Sequence, residues 1–267
     1  MYSLRKFPGR TGIIGKPLPA PFPSFEMHKV TFRYGATSMI AGRPGSFKSV
    51  LALNIMVQWA KAGKSVLYFS ADSDEFVVFM RVGAMLTGDS TDVVEGNLIR
   101  GNFASYTGAM SQLGHSLFVY QQSDVDEIAS HMATFEHLFG AYPDAVFIDN
   151  LLNCVDSGEE WQQMLTVTKE LDGMARETQS HICILHHTSE AVGVAGDPPP
   201  SWAVQGKITQ IPRLVLTVAA SGMGLYWSCV KNTNGPQDPT GRIVYQFLVN
   251  PSMRIDDVSF DVEMGQL

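Results

Sequence analysis

Apolar and polar residues alternate along this chain in blocks whose period switches repeatedly between that of a strand and that of a helix. The apolar run "TSMIAG" ends at Gly42, and from Ser49 the stretch "SVLALNIMVQWAKAG" sets Leu51, Ile55, Met56 and Trp59 at helical spacing before Gly63 stops it. "SVLYFS" (65–70) reads as a buried strand; after the acidic turn "ADSDE", segment 75–88 predicts a helix closing on Gly88. Region 89–116 is weakly patterned and predicts loop with room for one helix. "LFVY" (117–120) predicts a strand and 125–140 a helix with an acidic first turn. "DAVFID" (144–149) predicts a strand that stays apolar until its final aspartate, followed by a helix over 159–179 and the strand "HICILHH" over 181–187. Segment 188–207, with three glycines and three consecutive prolines, breaks the rhythm and reads as a long mobile loop. The remainder (213–220, 224–232 and 242–249) predicts a β meander joined by glycine-containing turns.

Strands alternating with helices predict an α/β fold, a twisted and mostly parallel sheet covered on both faces, with the late strands added antiparallel. In such sheets ligands bind beyond the carboxyl ends of the strands. Polar clusters follow residues 42, 70, 149 and 185, at four such ends, which points to one composite site. The first 25 residues carry Arg5, Lys6, Arg10 and Lys16, no acidic residue and five prolines. They predict an extended basic arm (1–25) ahead of a single domain (26–267), open both as a partner- or phosphate-binding arm and as a solvated leader.

Composition narrows the setting. With 267 residues and 45% hydrophobic content, one large α/β domain can bury a sizeable core. No apolar run approaches the ~18–20 residues that span a bilayer, and the N-terminus has no continuous apolar stretch of the kind a secretory signal needs. Cys154, Cys183 and Cys229 form no C-x-x-C pair and read as buried thiols in a reducing compartment. The expectation is a cytoplasmic protein without a membrane partner. The net charge of -7 excludes a general coat of positive charge for nucleic acid, though not a local basic patch.

The candidate chemistry begins at "AGRPGSFKS", Ala41 to Ser49, which nearly matches the phosphate-binding pattern G-x-x-x-x-G-K-[ST]. Gly42, Lys48 and Ser49 have the right spacing, between a strand and a helix, but Phe47 replaces the second glycine. Backbone N–H groups of Gly42, Arg43, Pro44, Gly45, Ser46, Phe47, Lys48, Ser49 and Val50, excepting proline's, form the loop that can wrap a phosphate at a helix N-terminus. Phe47 keeps the amide and loses only glycine's conformational freedom, so Gly45 is expected to take any strained conformation, with the Phe47 ring directed away from the ligand. Lys48 would bridge phosphates and the Ser49 hydroxyl would ligate Mg²⁺, with Asp149 holding that ion from the end of its strand. Asp72, Asp74 and Glu75 follow the second strand; Asp74 and Glu75 also read as cap and first-turn acid, so Asp72 is the candidate general base. His186 and His187 end another strand. Adjacent strand residues face opposite ways, so one of the pair faces the ligand as a phosphate sensor, with His186 as the candidate.

With these residues in place, the chain over roughly 30–250 resembles RecA-fold ATPases of the DnaB-like replicative helicase group, in the compact, RepA-like layout of phage and plasmid versions. The resemblance rests on "AGRPGSFKS", "YFSADSD", "AVFIDN", "ILHHTS" and "SCVKNTNGP", with "GKITQ" (206–210) upstream of the last. It implies a P-loop ATPase using ATP and Mg²⁺, a homo-oligomeric ring, typically of six subunits, and single-stranded DNA as partner. Loops at about 150–160 and 188–207 would line the DNA channel, with Lys207 and Lys231 as its basic residues, and the N-terminal arm would pack on a neighbour. Three departures stand out: Phe47 in the loop, Asp72 where the group has glutamate, and Thr233 where it has an arginine finger. The last leaves Lys231 or Arg242 to substitute as the cation supplied to a neighbour. Two other functions fit the same residues: a recombination or loading ATPase without unwinding, and a nucleotide-binding regulatory protein with weak turnover.

Overall fold

The computed structural model describes residues 15–154, 160–189 and 195–258. A short helix α1 (Pro23–Met27) leads into strand β1 (Ala36–Gly42) and helix α2 (Lys48–Lys61). Strand β2 (Val66–Ser70) is followed by helices α3 (Glu75–Thr87), α4 (Thr91–Ile99) and α5 (Ala104–Met110), then β3 (Ser116–Val119) and α6 (Val125–Phe139). Next come β4 (Ala145–Asp149), α7 (Glu160–Thr178) and β5 (His181–His187). The chain closes with β6 (Leu214–Ser221), β7 (Gly224–Asn232), β8 (Tyr245–Val249) and β9 (Ile255–Asp256). These strands form one sheet in the order β3-β2-β4-β5-β1-β6-β7-β8-β9. It is parallel from β3 to β6 and antiparallel from β6 onward.

The order follows from burial. Strands β1, β2 and β4 are buried at every position, as their unbroken apolar runs require of strands covered on both faces. Along β1, Ile40 packs into the layer beneath α2, whereas Met39 and Ala41 face the layer beneath α6 and α7. Helix boundaries obey local chemistry. Asp124 and Glu127 form a reciprocal capping box on α6, Asp74 caps α3 through the Val77 amide, and Gly88 and Gly140 end α3 and α6 in the left-handed region.

Four features depart from expectation. Segment 89–116 carries two helices rather than one, because Val94, Leu98 and Tyr106 bury a small satellite cluster against Ala84 of α3. The proline-rich arm does not run to residue 25. Leu18, Phe22 and Phe25 are buried in the main core, with Phe25 edge-on to Trp227, while residues 1–14 lie outside the described residues. The described part of 188–207 contains the 3₁₀ turn Ser201–Ala203 and runs into another at Gln205–Gln210. Strand β9 was not expected at all. Of the two expected channel loops, residues 155–159 and 190–194 lie outside the described residues, as does the Lys207 side chain.

At the amino end of the sheet, His181 is fully buried between β1 and β5. Its Nδ1 donates to the Arg33 carbonyl at 2.9 Å, which leaves Nε2 to accept from the Ser38 hydroxyl at 2.9 Å. A neutral ring satisfies both bonds, and burial favours it by pushing the pKa down to about 4. The three cysteines are buried free thiols, as expected. No helix of the described residues is long and apolar enough to cross a membrane.

Candidate nucleotide site

The carboxyl ends of β2, β4, β5 and β1 are neighbours, so residues far apart in sequence meet there. Ser70 pairs with Asp149 across β2 and β4, and Gly42 pairs with His187 across β1 and β5. The loop from Arg43 to Phe47 turns over this edge into α2, whose first-turn N–H groups have no intrahelical acceptor. Gly45 adopts φ +75° with open space around it. Phe47, expected to escape strain, is itself left-handed (φ 63°, ψ 22°). The conformation usually given to glycine is therefore kept, and the aromatic residue tolerates it because its ring packs against the core beneath α2. Gly42 is demanded by space. A Cβ there would lie 2.5 Å from Ser46 Oγ and 2.6 Å from the Val218 carbonyl oxygen.

A cavity of about 290 Å³ opens at this loop, walled by Ser46, Lys48, Ser49, Ser73 and Arg81 among others. Lys48 is 7% exposed; its Nζ donates to the loop's own Gly42 carbonyl at 3.0 Å and Arg43 carbonyl at 2.8 Å. Burial lowers its pKa to about 8, against the opposing pull of Asp149 and Asp72. Asp149 is likewise buried, and desolvation raises its pKa while hydrogen bonds from the Ser49 and Tyr68 hydroxyls act the other way. The donor set of one rigid carboxylate and one helix-borne hydroxyl fits Mg²⁺, which takes few protein ligands and completes its shell with phosphate oxygens and water. Ser49 and Asp149 are the residues that would hold it. Among the described residues, no three His, Cys, Asp or Glu side chains cluster as a metal cage.

The acidic turn divides its labour. Asp74 is spent as the α3 cap, while the exposed Asp72 carboxylate accepts from Asn150 Nδ2 and, at 2.9 Å, from Asn153 Nδ2. Asp72 is thus aimed by two amides and lies close enough to act on Lys48 and Asp149. The histidine pair splits differently from the expectation. His187 joins the cluster, its Nε2 3.3 Å from Asn150 Nδ2. His186 is fully buried, and its Nε2 donates to the Gln205 carbonyl at 3.1 Å. The alternation of side chains along β5 thus makes His187 the residue bonded into the site, and His186 the link to the turn that follows. Lys231 is also elsewhere. Its ammonium donates to the Thr209 and Gln210 carbonyls at 2.8 and 2.7 Å, and it does not line this chain's own cavity.

Sequence reasoning missed four contributors: Arg81, Asn150, Asn153 and Tyr68. Asn150 was legible as the polar residue directly after the "AVFID" strand, with Asn153 three positions on. Arg81 gave a weaker signal, one cation within an otherwise apolar helix following the acidic turn. It is half-buried at the cavity wall, and no ion pair or hydrogen bond of its side chain occurs among the described residues.

Residues 18–203 match the model of the DnaB-like helicase C-terminal domain family. This chain belongs to that family. Curated relatives of this chain include the Gene 65 protein of Mycobacterium phage L5, 28% identical over 96% of this chain and 99% of that protein. The Gene 65 protein of Mycobacterium phage D29 is 29% identical over 82% of this chain and 98% of its own length. Among solved structures, an isolated ATPase domain superposes with a TM-score of 0.78 at 13% identity, covering 95% of both chains. A DnaB-like replicative helicase, solved in a study of its interactions with primase, gives 0.77 at 14% identity over 94% of this chain and 64% of that one. A KaiC-like protein from Pyrococcus horikoshii OT3 gives 0.62 at 13% identity, covering 89% of this chain and 97% of that one. The expected RecA-like architecture is therefore the observed one, and the DnaB-like membership makes this a helicase-type ATPase domain.

Proposed function

We propose that this protein is an ATP-hydrolysing motor of phage type that assembles as a homo-oligomeric ring and translocates on single-stranded DNA in the host cytoplasm. The observation that carries the reading is the convergence of Asp149 and Asp72 on Lys48 and Ser49, which wall the loop's cavity at the carboxyl edge of the sheet. The loop amides and Lys48 would hold the phosphates, and Arg81 adds a second cation to the wall. Bound Mg²⁺ would neutralise phosphate charge. Asp72, steadied by Asn150 and Asn153, would take the proton of a water that attacks the terminal phosphorus as its bond to the ADP oxygen breaks. His187, hydrogen-bonded to the same Asn150, would report the terminal phosphate to β5.

A second reading, a nucleotide-binding regulator with feeble turnover, draws on one observation: Lys231 is occupied by two backbone carbonyls, and Thr233 bonds the Arg213 carbonyl where a finger would stand. A loading ATPase without unwinding shares every residue with the first reading. Turnover of ATP with and without a single-stranded oligonucleotide, together with solution mass, separates these. A motor is expected to be stimulated by DNA and to form a nucleotide-stabilised oligomer, with strand displacement on a fork marking a helicase. Lys48→Ala is expected to abolish turnover; wild-type rates in that variant would sink the site assignment.

A further inference from the structure

The cavity at the phosphate loop is walled by the loop itself, by Ser73 and Arg81, and by one residue from the far end of the chain, Met253. The family match covers residues 18–203, so this contribution lies beyond it. Among the described residues other than glycine, four have φ near +60°, and two of them, Phe47 and Met253, wall this cavity. Side-chain-bearing residues rarely adopt that conformation, and it persists only where the surroundings hold it.

At Met253 the hold is explicit. Asn54, buried in the middle of α2, donates from Nδ2 to the Met253 carbonyl at 2.8 Å and accepts the Ile255 amide at 3.1 Å through Oδ1. Asparagine is a poor residue for a helix interior, and here both ends of its amide engage the segment that follows β8. Arg254 donates to the Met85 and Leu86 carbonyls at 2.6 and 3.1 Å, in the last turn of α3. Asn250 Oδ1 accepts from the Ser252 and Arg254 amides at 3.0 and 3.1 Å and closes the turn. Segment 250–255 is therefore a strap pinned to both α2 and α3, and Met253 is the residue it brings to the cavity wall.

We propose that Met253 is the contact surface for the base of the bound nucleotide, presented by this C-terminal strap. The proposal rests on the nucleotide reading given above and specifies one of its contacts. Asp72 and Asp149 act on Lys48, and the Ser49 hydroxyl bonds Asp149, which marks the terminal-phosphate end of the site. Asn54 lies one helical turn beyond Val50 and bonds its carbonyl at 2.9 Å. The strap thus meets α2 at the other end, where phosphates laid along the loop lead on to their nucleoside. A thioether suits that place, because it is polarisable and makes favourable contacts with an aromatic ring such as a base presents. Lys48 and Arg81, the cations of the same wall, suit phosphate instead.

The test titrates the full chain with Mg²⁺-ATP and, separately, with Mg²⁺-tripolyphosphate, which has the phosphates and no base. Met253→Ala is expected to weaken ATP binding by about 2- to 12-fold and to leave tripolyphosphate binding unchanged. Met253→Gly removes the same side chain while suiting the left-handed backbone, so it should melt no lower than the alanine variant and show the same selective loss. This second variant carries the test if the first folds poorly. If both ligands weaken equally, the strap only shapes the phosphate loop; if ATP binding is unchanged, the side chain touches no base. Either result overturns the proposal and leaves the nucleotide reading standing. If wild type binds neither ligand, the nucleotide reading falls and the base contact with it.

Discussion

Replacing Gly42 with alanine probes why the phosphate loop needs this glycine. The added Cβ would meet Ser46 Oγ at 2.5 Å, the Val218 carbonyl oxygen at 2.6 Å and Val218 Cγ2 at 2.9 Å. The first contact can be relieved by rotating a hydroxyl. The second cannot, because the Val218 carbonyl belongs to β6, paired in register with Gly42 itself. Relief requires β1 and β6 to part by roughly half an ångström or more, and overpacking of this kind costs about 1–3 kcal/mol. For a domain of this size that corresponds to a fall in melting temperature of roughly 2–12 °C. Because the moved residue begins the loop, turnover should also fall by roughly 10- to 100-fold through misplaced amides. Gly45→Ala is the control: its φ of +75° with nothing within 4 Å leaves only the left-handed penalty, about 1–2 kcal/mol, and a nearly intact loop. Thermal melts and steady-state ATP turnover check both. Adding Ser46→Ala to Gly42→Ala should restore only part of the loss. Full restoration, or a Gly42→Ala protein indistinguishable from wild type, would refute the argument that strand β6 sets the limit.

Further outcomes are expected from the same geometry. Phe47→Gly exchanges relief of a left-handed residue against lost ring packing, so stability should stay within about 1 kcal/mol and nucleotide affinity should hold; a tenfold affinity loss in a nucleotide titration would mean the ring itself contributes. Arg81→Ala should weaken nucleotide binding by about tenfold or more with little change in melting temperature, since this cation walls the cavity and holds no ion pair among the described residues; unchanged affinity would remove it from the site. His181, with a pKa lowered to about 4, binds a proton in the unfolded chain before it does in the folded one. The stability it contributes is therefore complete above its ordinary value of 6.5 and is lost as pH falls toward 4, by about 2 kcal/mol between pH 7 and 5. In urea melts at those two pH values, the loss of unfolding free energy should be larger for wild type than for His181→Gln by that amount, and an equal loss in both would contradict the neutral-ring assignment.

Periodicity along the chain was sufficient for the alternation of strands and helices, the parallel sheet and the gathering of the candidate site's polar residues at its carboxyl edge. Those follow from local physics. A strand covered on both faces must be continuously apolar, and the polar residues that end it must lie at the rim. Lys48, Ser49, Asp72 and Asp149 were legible for that reason. What local pattern could not fix was which way a residue at the rim turns once its neighbours arrive. His186 and His187 are equivalent as sequence, and only the register of β5 beside β1, with the Gln205 carbonyl waiting on one face, separates linker from site residue. Lys231 reads as a free cation until the turn at Gln205–Gln210 presents two carbonyls to it. Phe22 and Phe25 lie in a proline-rich segment that reads as an arm, yet they fill a space lined by Trp227 and Phe247 that exists only after the late hairpins have folded back. In each case the deciding partner is distant along the chain, so its contact depends on loop closure and packing that no window of neighbouring residues contains.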